Sequence, residues 1–98
     1  MMFAVLFEDD PDRADMRARH MPDHLAFLER NATRIEAAGP LRDTATAGPA
    51  GGLWLVTAES PAAVRALVEA DPFWPTGLRR SVRILEWIQV FRDGRRQL

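Results

Sequence analysis

The 98-residue sequence predicts an α+β domain in the order β-α-β-β-α-β, and three observations predict it. Met2–Glu8, Gly51–Ala58 and Ser81–Phe91 are apolar stretches of strand length. Met21–Ala38 and Ser60–Ala70 carry apolar residues at three- and four-residue steps behind a proline suited to the first helical position. Turn-forming pairs and runs, Gly39-Pro40, Ala47–Gly52 and Asp71-Pro72, fall between these stretches.

The first strand puts Phe3, Val5 and Phe7 on one face and Ala4 and Leu6 on the other. Asp9–Arg19 is highly charged with alternating sign and reads as a solvated loop or a poorly anchored helical turn. The first helix is expected over Met21–Ala38. Pro22 sits at its start, Asp23 meets the positive end of the dipole, and Leu25, Leu28, Ala32 and Ile35 form its stripe. Gly39-Pro40 should stop it. A short strand over Pro40–Thr46 and a stronger one over Gly51–Ala58 read as a hairpin. Ser60 caps the second helix, Val64, Leu67 and Val68 supply its stripe, and Asp71-Pro72 ends it, because the residue before proline is pushed out of the α region. Phe73–Leu78 is a stiff loop, Ser81–Phe91 the longest strand, and Arg92–Leu98 a polar, fraying tail. Together these elements make one domain over residues 1–98 with the ferredoxin-like arrangement: a four-stranded antiparallel sheet with both helices on one face.

Composition narrows the chemistry. The chain has no cysteine, which excludes disulfides, thiolate catalysis and cysteine zinc sites and suits the cytoplasm. It has no lysine, all thirteen basic residues being arginine, which removes Schiff-base chemistry. No apolar run is long enough to cross a bilayer, and the apolar start lacks the basic flank of a secretory signal. A net charge of −1 argues against a nucleic-acid surface, and Gly52–Thr57 lacks the aromatic motif an RNA-recognition domain carries there. No phosphate-cradling loop or zinc-helix spacing is present, so neither metal nor cofactor is expected.

The strand faces bear on assembly. A sheet with helices on one side should be apolar on that side and polar on the other. Here Leu53 and Leu55 oppose Trp54 and Val56, and Val82, Ile84, Ile88 and Val90 oppose Leu85, Trp87 and Phe91. A second copy of the chain, packed sheet to sheet, is the economical cover.

Two histidines, His20 and His24, are the only candidates for proton transfer near neutral pH. In the expected first turn of its helix, His24 would be held neutral by the dipole. Read alone, it is more simply a histidine that caps or packs. Asp71, at the unfavourable end of a helix for a carboxylate, is equally a common turn former. Nothing in the spacing brings the two together. Arg79, Arg80 and Arg83, and likewise Arg92, Arg95 and Arg96, read as solvated clusters that could still attract an anion.

Five short blocks, in order along nearly the whole chain, resemble the YCII-related proteins of the dimeric α-β barrel superfamily. They are Pro22-Asp23-His24-Leu25-Ala26-Phe27-Leu28, Ala38-Gly39-Pro40-Leu41, Gly52-Leu53, Ser60-Pro61-Ala62-Ala63, and Asp71-Pro72-Phe73 with Gly77-Leu78. The resemblance implies a homodimer whose sheets form a barrel, and a histidine–aspartate pair in a cleft, mapping onto His24 and Asp71. The function it suggests is a cofactor-independent lyase or isomerase of a small organic molecule. His24 would be the base and Asp71 its orienting carboxylate, with Gly39, Pro40, Leu41, Phe73 and Trp74 lining the pocket. The alternative is a non-catalytic ligand-binding or protein-interaction domain, which a closed and filled site beside His24 would favour.

Overall fold

Phe3, Val5 and Phe7 alternate with Ala4 and Leu6 along β1 (Met2–Asp9), and a strand apolar on both faces belongs in the middle of a sheet. The computed structural model describes residues 1–98. It places β1 between β3 (Pro49–Thr57) and β4 (Arg79–Glu86), with β2 (Ile35–Arg42) on the outer edge of β3; every pairing is antiparallel. Helices α1 (Asp15–Arg30) and α2 (Pro61–Ala70) cover one face. Phe3, Val5, Phe7, Trp54 and Val56 of the sheet close the core against Phe27 of α1 and Val64, Leu67 and Val68 of α2. The α+β class and its element order therefore stand. No helix is long and apolar enough to cross a membrane.

The first helix differs most from expectation. It starts at Asp15, inside the Asp9–Arg19 segment read as a loop or a poorly anchored helical turn, and ends at Arg30, short of the expected Ala38. A short turn over Pro11–Arg13, capped by the Asp10 carboxylate on the Asp12 amide (2.9 Å), leads into it. Pro22 lies in the helix interior, where its missing N–H frees the carbonyl of Ala18; both residues are exposed, so water can serve that carbonyl. The Asn31 side chain donates to the Phe27 carbonyl (2.8 Å) and closes the helix end. Ile35 and Gly39-Pro40 lie in β2 instead of the helix and its stop. As an edge strand β2 tolerates a residue without an N–H. The expected short strand over Pro40–Thr46 is thus only the far end of β2, and Asp43–Gly48 makes the turn.

Helix α2 is as expected: Ser60 Oγ accepts from the Ala63 amide (3.1 Å) and Pro61 is the first helical residue. The last sheet strand is shorter than read. After the Trp87 amide bonds the Met2 carbonyl (2.8 Å), the chain leaves the sheet, so Ile88, Val90 and Phe91 belong to neither sheet face. The polar tail is a hairpin, β5 (Phe91–Arg92) and β6 (Arg95–Arg96), turned by Asp93 and Gly94, both at positive φ.

Away from the helices the sheet presents Ala4, Leu53, Leu55, Leu85 and Trp87, with Glu86, around a shallow groove of about 400 Å³. Trp87 is 41% exposed there, while Trp54 is 1% exposed on the opposite, helix-covered face.

Candidate active site around His24 and Asp71

Asp71 caps the end of α2 with extended backbone (φ −66°, ψ 131°), and Pro72 turns the chain away. One carboxylate oxygen accepts from the Phe73 amide two residues on (3.1 Å), a local turn that fixes where the carboxylate points. The same oxygen meets Nδ1 of His24 at 2.7 Å. Both residues are buried, Asp71 at 2% and His24 at 5% exposure. Phe73, fully buried, stacks on the imidazole with ring centroids 4.1 Å apart.

His24 is the tenth residue of α1, not part of its first turn, so the dipole argument for a neutral ring does not apply. Its orientation comes from Asp71. A carboxylate only accepts, so Nδ1 carries the hydrogen, and in the neutral ring Nε2 keeps a free lone pair. Nε2 has no protein partner and is not sealed off, since the one fully buried side-chain nitrogen or oxygen without a partner is Nε of Arg79.

His24 lines a cavity of about 110 Å³ with Arg17, Met21, Leu25 and Leu28 of α1, Ala38, Gly39 and Pro40 of β2, Trp54 and Arg79. A dry pocket of ~150 Å³ holds benzene; this cavity is smaller and open at its mouth, so a ring enters it only in part. Of the other residues expected at the pocket, Leu41 lines an adjoining open groove that shares Arg17 and Pro40. Phe73 stacks on the His24 ring, fully buried, and is not among the cavity's lining residues. Trp74 packs on the core with Arg65 over its ring (5.1 Å) and is not among the cavity's lining residues. His20 does not line it either.

Two cavity residues are not where the charge pattern puts them. Arg79, read as part of a solvated cluster, has a side chain only 3% exposed, whereas Arg80 and Arg83 are exposed. Arg17, read as part of a solvated face, lines the cavity from α1. A β-bulge brings Arg79 to Asp9, and α1 brings Arg17. Regular pairing would continue from Glu8 opposite Ser81 to Asp9 opposite Arg80, but the bulge sets Asp9 opposite Arg79. Asp9 then bonds Nη1 of Arg79 (3.2 Å) and, through its other oxygen, Nη2 of Arg17. The Arg79 guanidinium lies 4.1 Å over the Phe7 ring. Burial lowers its pKa from the ordinary arginine value, and the Asp9 and Asp71 carboxylates oppose that pull. Arginine starts so high that the charge persists at neutral pH. Gly52 makes the space: a Cβ there would stand 3.1 Å from Nη1.

A sequence profile of the YCII-related domain matches residues 1–88. Proteins named YciI from Escherichia coli O6:H1 and Shigella flexneri are each 29% identical over 98 aligned residues, covering 93% of this chain and all of theirs. Among solved structures, 5-chloro-2-hydroxyhydroquinone dehydrochlorinase (TftG) from Burkholderia phenoliruptrix AC1100, in complex with 2,5-dihydroxybenzoquinone, superposes with a TM-score of 0.77 at 29% identity, over 90% of this chain and 94% of that one.

Proposed function

This chain belongs to the YCII-related family, and on that premise we propose that it is a cytoplasmic, homodimeric lyase that eliminates a small leaving group from a single hydroxylated ring. The observation that carries the reading is the 2.7 Å contact between His24 and Asp71 at the wall of a small open cavity. An elimination needs a base close to the ring. In the keto tautomer of such a ring the carbon bearing X is sp³, and Nε2 of His24 takes the proton of a remaining ring hydroxyl as that O–H bond breaks. The electron pair forms C=O, the adjacent ring double bond shifts to the carbon bearing X, the C–X bond breaks, and X leaves as an anion. Asp71 holds the imidazole in register and stabilises the imidazolium until it passes its proton to water. The step is redox-neutral. The dehydrochlorinase that shares the fold acts on a ring of this size, and its complex is with a hydroxylated quinone, which supports the same substrate class here.

The homodimer belongs to the same reading. The apolar outer face of β1, β3 and β4 needs cover, and a second sheet supplies it while closing the barrel.

The test is turnover of 5-chloro-2-hydroxyhydroquinone and its ring-hydroxylated relatives, followed by release of the leaving group. Wild-type protein should release it, and His24→Ala should lower the rate by about 10²–10⁴-fold. Equal rates in the two proteins would refute the role given to His24. A non-catalytic binding domain would bind the rings and release nothing from any of them.

A further inference from the structure

We propose that Arg79, supported by Arg17, is an anion clamp: the cavity selects a small ring bearing a planar oxyanion over the same ring in neutral form. The inference deepens the ligand reading above and rests on it only in taking the His24 cavity as the ligand site.

Three observations carry it. First, Arg17 and Arg79 share a single carboxylate, Asp9, so these three side chains leave one positive charge at the cavity. The other nearby carboxylate, Asp71, is hydrogen-bonded to the His24 ring and the Phe73 amide and keeps its charge, so it balances that positive charge until His24 takes a proton. Second, a guanidinium offers five donors, and the one hydrogen bond Arg79 makes is through Nη1. Nε is buried with no partner. Nη2 has no partner either, yet is not sealed off, and the side chain lines the cavity. With Nη1 held by Asp9, the edge formed by Nε and Nη2 has no partner, and in this conformation Nη2 is the donor open to a ligand oxygen. That edge is the flat two-donor fork that matches a carboxylate, or an oxyanion beside a second oxygen on the next carbon. Third, the fork is held rigid and dry. The guanidinium lies 4.1 Å over Phe7 and 5.3 Å from the Phe73 centroid. Gly52 leaves it room that any side chain would restrict. A buried donor without a partner is costly, and a ligand oxyanion is the partner this edge fits. An oxyanion gripped there would lie in the same 110 Å³ space as His24.

The experiment is calorimetric titration of the full-length protein at mildly alkaline pH with two pairs: benzoate against benzamide, and 4-nitrocatecholate against catechol, with nitrobenzene as the control for the nitro group. The first pair tests a carboxylate, the second an oxyanion with a neighbouring oxygen. In at least one pair the anion should bind about tenfold or more tightly than its neutral partner. Arg79→Gln should weaken that anion by about 10–100-fold, as loss of a charge-assisted hydrogen bond implies. Arg79→Lys, which keeps the charge and loses the fork, should fall between. Arg17→Gln, on the half-buried helix flank, should weaken the anion severalfold and covers the case in which Arg79→Gln does not fold. Neutral rings binding as tightly as both anions, or anion binding unchanged in Arg79→Lys and Arg17→Gln, overturns the clamp. The two proposals fail separately. Arg79-dependent anion binding with no His24-dependent turnover sinks the lyase and leaves the clamp. His24-dependent turnover with no preference for anions sinks the clamp and leaves the lyase.

Discussion

Replacing Asp71 by Asn changes one oxygen to an amide inside a closed environment, and its effect follows from two hydrogen bonds. The same carboxylate oxygen accepts from His24 Nδ1 at 2.7 Å and from the Phe73 amide at 3.1 Å, in a residue 2% exposed. Hydrogen bonds to a charged group contribute ~1.5–3 kcal/mol each and neutral ones ~0.5–1.5. If the Asn amide oxygen takes over both, the loss is roughly 1 kcal/mol per bond, or about 2 kcal/mol in all. A domain of this length has an unfolding entropy of about 0.2 kcal/mol per degree, so the melting temperature should fall by about 10 °C. Circular dichroism melts measure that. Nitrogen-15 NMR of the imidazole gives the second readout. The wild-type ring should be held with its hydrogen on Nδ1, whereas the variant should mix tautomers, because an amide can donate as well as accept. Melts within about 2 °C of each other, together with unchanged ring nitrogen shifts, would show that Asp71 does not orient His24 in solution.

Phe73→Ala removes a fully buried ring from beneath the imidazole and should cost about 3–5 kcal/mol in urea unfolding, with His24 losing its fixed ring shifts. Gly51 has φ +84° and a Cβ there would stand 1.9 Å from the Phe7 carbonyl oxygen, so Gly51→Ala should destabilise by ~2 kcal/mol or more on the same assay. Leu55→Glu and Trp87→Glu place charge on the outer face and should give a folded 11.0 kDa monomer by light scattering where the wild type gives twice that mass, whereas Trp54→Glu should unfold the protein.

Local chemistry made much of this molecule legible before any coordinates. Ser60-Pro61 started α2, Asp71-Pro72 ended it, and Phe3, Val5 and Phe7 formed one face of a strand, because caps, proline and alternation act within a few residues. The helix α1 was misread for the same reason. Its apolar stripe runs on by chance into Ala32 and Ile35, and Pro22 looks like a first helical residue, but tertiary packing places the helix seven residues before that proline and gives Ile35 to the sheet.

His24 and Asp71 stand out one at a time by residue type, and the resemblance to a family paired them, but their spacing of 47 residues carries no distance. The contact exists because α1 and the end of α2 lie on the same face of the sheet, and because the Asp71 turn aims its carboxylate at the ring. The inward turn of Arg17 and Arg79 was beyond sequence reading, which gave only that the Arg79 cluster could attract an anion. Residue type predicts solvation for an arginine. Only the one-residue slip at Glu8 and Asp9, the gap at Gly52 and the two aromatic rings decide that Arg79 turns inward. A sheet register is a property of two strands brought together, and a one-residue change in it exchanges the side chain that faces a given partner.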